Sequence, residues 1–262
     1  MECKSVHIVY FSPTHTSAKI AYAIAEGMHF KSLLESDITY NTPKGTVDIY
    51  DDELTIVAVP VYGGRVAETA MERLRAFRGH KSPVVPVVLY GNRDYEDALL
   101  ELSDTLTAQG FVVVSGGAFI GEHSYSREDM PIAAGRPDED DLQIAMRFGR
   151  DILLKMDKIS SLKGVKKLEV KGNFPYKVKG PSTPQAPVVN EEICNLCGYC
   201  EGVCPVSAIV FTDGVAFTDP ASCIKCCACV KECPLGARSF DTPYTAMLFQ
   251  NFCARREPEL FI

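Results

Sequence analysis

The chain has 262 residues, 46% of them hydrophobic and 23% charged, with a formal net charge of −7. That length can bury a sizeable core in one or two domains, and the composition is that of an ordinary globular protein. The two charge signs are interspersed without a basic run, which argues against a nucleic-acid or anionic-membrane binder, and no apolar stretch approaches a bilayer span.

The opening Met1-Glu2-Cys3-Lys4 leads straight into a strand-like run without a leader layout, so a cytoplasmic protein is expected. Residues 1–160 alternate strand-like and helix-like segments. Val6–Phe11 is an apolar run ending in Ser-Pro-Thr, and Ile20, Ile24 and Met28 then recur at helical spacing. A weakly marked second strand is placed near Ile38-Thr39-Tyr40. Leu54–Tyr62 is a continuous apolar run followed by Gly63-Gly64 and a helix bearing Met71 and Leu74. Val84–Tyr90 is another, followed by Gly91-Asn92 and a helix bearing Leu99, Leu102 and Leu106. Phe111–Ile120 reads as a further strand, and Leu142, Ala145, Phe148, Ile152 and Met156 as a closing helix. Continuous apolar strands alternating with helices predict an α/β domain, a doubly wound five-stranded parallel sheet covered on both faces. Pro86 opposes this, because a proline lacks the N–H that a central strand needs.

Residues 161–187 carry Lys, Gly and Pro, including Gly180-Pro181-Ser182-Thr183-Pro184, and read as a linker. Nine of the eleven cysteines then fall between Cys194 and Cys233. They form a repeat with a 29-residue period: Cys194, Cys197, Cys200 and Cys204-Pro205, then Cys223, Cys226, Cys229 and Cys233-Pro234. Both copies follow C-x₂-C-x₂-C-x₃-C-P, and the match extends to Ala208/Ala237 and Phe211/Phe240. Thiolates are soft ligands suited to iron–sulfur clusters, whereas zinc sites use paired C-x₂-C knuckles and disulfide frameworks belong to exported chains. Cys3, Cys227 and Cys253 have no evident partner and read as small apolar residues.

Val188–Asp241 resembles the bacterial two-[4Fe–4S] ferredoxins, and implies a small α+β domain at 188–241. In that family the fourth cysteine of each motif serves the other cluster. The resemblance therefore assigns Cys194, Cys197, Cys200 and Cys233 to cluster I, and Cys223, Cys226, Cys229 and Cys204 to cluster II.

In open α/β sheets ligands bind at the carboxyl ends of the strands. The first such loop, Ser12-Pro13-Thr14-His15-Thr16-Ser17, opens a helix, where hydroxyls and amides favour a phosphate. It resembles the flavodoxin phosphate loop at Ser12, Thr14 and Ser17, and departs from it at His15, where glycine is usual. The loops Val61–Arg65 and Tyr90–Tyr95 look like the two that sandwich the flavin ring. The resemblance covers about residues 4–157. It implies a flavodoxin-like domain with strand order 2-1-3-4-5 and FMN held by Ser12, Thr14, His15, Thr16, Ser17, Tyr62, Gly63, Gly91, Asn92 and Tyr95. His123 and Arg127, after the last strand, read as loop residues near the same edge.

The whole order resembles fused flavodoxin-like/ferredoxin proteins. Two [4Fe–4S] clusters and FMN imply an intramolecular electron relay serving redox partner proteins, with an electron carrier favoured over an enzyme that has its own substrate. Two alternatives stand: a flavin-dependent reductase fed by the clusters, and a ferredoxin whose flavodoxin-like module is empty. Residues 242–262, with Met247, Leu248, Phe249 and Phe252, read as a docking tail.

Overall fold

A computed structural model describes residues 3–180 and 183–262; Met1 and Glu2 of the opening segment, and Pro181 and Ser182 of the expected linker, lie outside the described residues. The first part contains β1 (Ser5–Tyr10), α1 (Thr16–Met28), β2 (Leu33–Asp37), β3 (Val47–Ile49), β4 (Glu53–Tyr62), β5 (Arg65–Val66), α2 (Glu68–Leu74) and β6 (Phe77–Gly79). There follow β7 (Pro83–Tyr90), α3 (Ala98–Ala108), β8 (Val112–Val113), β9 (Gly116–Ile120) and α4 (Glu139–Lys158). The strands β2-β1-β4-β7-β9 lie side by side and parallel, which is the doubly wound 2-1-3-4-5 order of flavodoxin-like sheets. One face buries Ile20, Ile24, Phe148 and Ile152 under α1 and α4. The other buries Leu74, Leu99, Leu102 and Leu106 under α2 and α3. The runs read as strands are apolar throughout because both faces are covered.

Two glycines set how closely α1 and α4 pack. A Cβ on Gly27 would lie 2.0 Å from the Met146 carbonyl oxygen, and one on Gly149 would lie 2.1 Å from that of Ile24. Each helix thus lets the other's backbone approach. α4 begins with a capping box between Asp138 and Asp141, and its acidic first turn and basic last turn both suit the helix dipole.

Two strands differ from expectation. The second lies at Leu33–Asp37, and Ile38-Thr39-Tyr40 form the turn after it. Leu33–Asp37 carries mostly exposed side chains on a sheet edge, so it has no apolar run to announce it. Phe111–Ile120 is split into β8 and β9 around Val114-Ser115, and this split accommodates Pro86. The Ser82, Val84 and Tyr90 carbonyls accept bonds from the β8–β9 side. By strand alternation Pro86 presents its nitrogen to that side too, opposite the interruption, so no ladder bond is lost.

The cysteine-rich part contains β10 (Val188–Val189), α5 (Tyr199–Gly202), β11 (Ile209–Thr212), β12 (Val215–Thr218), α6 (Ala228–Lys231) and β13 (Arg238–Ser239). β10 pairs with β13 and β11 with β12, both antiparallel. Asp213 and Gly214, both at positive φ, form the two-residue turn of the second hairpin. The 29-residue repeat is written into the backbone. Leu196 and Lys225, Gly198 and Cys227, and Ser207 and Gly236 are repeat-related pairs, and all six are left-handed.

Two segments tie the parts together. Residues 165–180 form a strap along α3 rather than a free connection. The buried Asp97 carboxylate accepts from the Asn173 and Lys177 amides at 2.8 and 2.6 Å. Asp104 accepts from Tyr176 and Lys167, Asp94 from Lys171, and Glu96 pairs with Lys177. After the cysteines come α7 (Pro243–Asn251) and β14 (Glu259–Phe261), and β14 returns to the first sheet, antiparallel beside β9.

Candidate functional site

The eight motif cysteines surround two cavities. One is lined by Cys194, Cys197, Cys200 and Cys233, the other by Cys204, Cys223, Cys226 and Cys229. The fourth cysteine of each motif therefore sits with the first three of the other. The left-handed residues inside each C-x₂-C-x₂-C loop curl the backbone around its cavity. Among the described residues no three His, Cys, Asp or Glu side chains converge on a single-ion site; the thiols stand around the two cavities instead. The repeat-related amides of Ala208 and Ala237 donate to the Cys204 and Cys233 sulfurs at 3.2 and 3.3 Å, and the Lys225 amide to Cys223 at 3.4 Å. Amide bonds to sulfur stabilise thiolate charge.

Sequence reasoning missed Arg238, which is 4% exposed. Its guanidinium donates to the Pro187 and Ala216 carbonyls and to the Thr218 hydroxyl, and lies 3.7 Å from the Cys200 sulfur. It also faces Cys229 of the second set. Among the described residues no carboxylate accepts from it, and its Nε has no partner. A buried cation without a counter-ion is costly, and the cysteine sulfurs on either side, Cys200 and Cys229, would supply the missing charge as thiolates. The clue was a departure from the repeat: Arg238 stands where the first copy has buried Ile209.

A third cavity, of about 480 Å³, opens at the carboxyl edge of the sheet. Thr14, Thr16 and Ser17, Tyr62 and Gly63, and Gly91 line it, so the three predicted loops do converge. Its other walls come from the strap at Lys177 and Lys179, from Thr183 beyond it, and from the cysteine unit at Ile224 and Lys225. Ile224 and Lys225 lie between Cys223 and Cys226, so this cavity and that of the second cysteine set share a wall. Its size is that of a small-molecule or cofactor site.

Ser17 is 1% exposed and its hydroxyl has no partner among the described residues; the Tyr90 hydroxyl on the same cavity is likewise unpaired there. Ser12 is buried beneath the loop, where its hydroxyl accepts from the Ala18 amide at 3.1 Å and fixes the first turn of α1. His15 is left-handed at φ 63° and caps α1, a conformation that explains why glycine suits the position. Its exposed imidazole turns away from the cavity, with Nε2 3.4 Å from Glu232 of the cysteine unit.

Besides Ser12 and His15, two more predicted residues do not line the cavity. Tyr95 is fully buried, its hydroxyl donates to Glu259 of β14 at 2.6 Å, and it offers no open stacking face. Asn92 is 1% exposed and donates to the Phe252 and Ala254 carbonyls at 2.6 and 2.8 Å, anchoring the segment before β14. Its short polar side chain tolerates φ 64°, which is the local reason for Asn here.

His123 joins the site instead. It packs on Gly91, where a Cβ would meet its ring at 2.3 Å, and lines the cavity. Burial, with Lys231 and Arg93 nearby, pushes its pKa down to about 4, so it is neutral near pH 7. Its Nδ1 accepts from the Tyr125 amide at 3.0 Å, which leaves the proton on Nε2. Burial likewise raises the Tyr62 and Tyr125 hydroxyls, keeping both protonated. The cysteine unit is pinned here by Lys231 to Glu122 at 2.5 Å and by Arg73 to the Pro205 carbonyl at 2.6 Å.

Residues 186–234 match the family of 4Fe-4S dicluster domains. No curated protein matches the chain. Among solved structures, the Streptococcus pneumonia TIGR4 flavodoxin shares 17% identity over 58% of this chain and 99% of its own, with a TM-score of 0.40. A Fusobacterium nucleatum flavodoxin bound to flavin mononucleotide shares 15% over 59% and 98%, with a TM-score of 0.38. The Flv1 flavodiiron core from Synechocystis sp. PCC6803 shares 14% over 60% of this chain but only 37% of its own, with a TM-score of 0.42. No helix among the described residues is long and apolar enough to cross a membrane. By its strand order and its cysteine-rich segment, the chain joins a flavodoxin-like doubly wound sheet to a 4Fe–4S dicluster domain.

Proposed function

We propose that the chain is an electron-transfer flavo-iron–sulfur protein of the cytoplasm, with two [4Fe–4S] clusters in the two cysteine-lined cavities and FMN at the sheet edge. The observation that carries this reading is the wall formed by Ile224 and Lys225, which belongs both to the flavin cavity and to the loop bearing Cys223 and Cys226. FMN held there would exchange one or two electrons and the clusters one each, linking one- and two-electron partners.

The residues present fit both groups. The N-terminal turn of α1 and the orphaned Ser17 hydroxyl suit a phosphate. Tyr62 offers an aromatic face, and Gly63 and Gly91 allow close approach. His123 offers a fixed N–H. Arg238 and the amide–sulfur bonds balance thiolate charge. Because the wall opposite the flavin loops is the cluster loop itself, the relay is favoured over a reductase with its own substrate.

Protein purified without oxygen should contain about eight irons and eight sulfides in two cubes, with one FMN, per chain. Zinc in place of iron would sink the cluster assignment. Iron and sulfide with no flavin, even after incubation with FMN, would leave a ferredoxin with an empty module.

A further inference from the structure

The two pseudo-symmetric halves of the cysteine unit meet different surroundings. In the half facing the first domain, Cys226, Cys227, Ala228 and Cys229 are buried. In the other half Cys197 is exposed. Where the inward half has fully buried Ala228, the outward half has Tyr199, 50% exposed, and Leu196 beside it is 47% exposed. Leu196, Tyr199, Phe211 and Leu235 line the cluster I cavity, and all four are exposed. They therefore form one contiguous apolar patch around that cluster's sulfurs, and such patches mark interaction surfaces.

Charge settles the kind of occupant. Residues 188–241 hold seven acidic and three basic side chains, a net of −4. All three bases are engaged within the chain: Lys225 with the Thr183 carbonyl, Lys231 with Glu122, and Arg238 between the cysteine sets. Glu191, Glu192, Glu201 and Asp213 are exposed, each within three residues of Cys194, Cys200 or Phe211 along the chain.

We infer that the cluster I face is the docking surface for a redox protein whose own cofactor edge is apolar and rimmed by lysine and arginine. This rests on the cluster assignment above and not on FMN. Electrons cross between the partner and cluster I, while cluster II faces the sheet. The step transfers one electron from a reduced cluster to an oxidised partner centre, with no bond made or broken and no proton required.

The probes are horse-heart ferricytochrome c, a lysine-rimmed acceptor, and an oxidised rubredoxin, an acidic one. Dithionite-reduced protein, free of excess reductant, is mixed with each under anaerobic stopped flow. Glu192→Lys/Glu201→Lys should slow cytochrome c reduction about tenfold and speed rubredoxin reduction, since opposite charge steers encounter. Asp151→Lys/Asp157→Lys makes the same net-charge change on exposed positions of α4, whose C-terminal half runs to the opposite edge of the sheet, and should shift both rates less than twofold. Iron content and cluster absorbance verify that each variant is loaded. Wild-type protein gives a second readout: carbodiimide coupling to cytochrome c should map to Glu191, Glu192 and Glu201. Equal effects from the two double variants, or coupling concentrated on residues 3–160, would overturn the proposal and leave the patch as cluster shielding only. A flavin-free but iron-loaded protein would still run the whole test, so failure of the FMN reading is seen separately.

Discussion

Ser17 keeps a buried hydroxyl that nothing among the described residues satisfies, an arrangement that costs free energy unless a ligand uses it. Ser17→Ala should weaken FMN binding by roughly 2 kcal/mol, about thirtyfold in Kd, as expected for a lost bond to a charged acceptor. The same variant without flavin should melt no lower than the parent, because an unpaired polar group is gone; fluorescence titration and thermal unfolding read the two. Arg238 makes the parallel case for the clusters. At an effective dielectric near 20, a unit charge about 5–6 Å away is worth roughly 3 kcal/mol. With about 59 mV per tenfold change for one electron, Arg238→Met should lower both cluster potentials on the order of 100 mV. Arg238→Lys, which keeps the charge, should move them less; redox titration followed by EPR decides. The grouping of the cysteines around two cavities was legible because the repeat resembles that of two-cluster ferredoxins, in which the fourth cysteine of each copy sits with the first three of the other. Arg238 was legible only as a break in the repeat, and Tyr95 and Asn92 were misplaced because their partners, Glu259, Phe252 and Ala254, lie some 160 residues away.

At the scale of elements, the strap depends on carboxylates. Burial alone would raise the Asp97 pKa, but the Lys177 and Asn173 amides outweigh it and hold the group below its ordinary range. Asp94, Glu96 and Asp104 are also lowered, burial being offset in each by bonds to strap residues. A carboxyl with a depressed folded pKa contributes stability that is full above its unfolded value, near 4, and is lost as pH falls through the folded one. Amide exchange in residues 167–179 should therefore accelerate below about pH 4 while β4 and β7 stay protected. Asp97→Ala should loosen the strap at neutral pH, at a cost of roughly 1–3 kcal/mol for two stranded amides. Sequence patterning gave the helices and inner strands of the sheet well, since burial on two faces leaves long apolar runs. It read the strap as a linker because polar contacts to α3 leave no periodicity. It missed β14 because the few residues of an edge strand need no apolar run to pair with β9.

Across the whole molecule, one half of the cysteine unit is sheltered and the other is open. Cluster I should consequently fail first in air. Iodoacetamide added at intervals after air exposure should label Cys197 well before Cys226 or Cys229, with about half the iron released at that stage, as peptide mass spectrometry and iron assay would show. Equal labelling of both sets would contradict the asymmetry. The position of β14 has a further consequence for how the protein is made. A ribosome delivers the whole cysteine-rich stretch before the segment that seals the β9 edge. If the cysteine unit must load before β14 docks, a nascent chain starved of iron keeps a raw sheet edge, the kind of feature that invites aggregation and proteolytic triage. We expect its pulse-chase half-life to shorten under iron limitation, and an unchanged lifetime would show that sealing proceeds without loading.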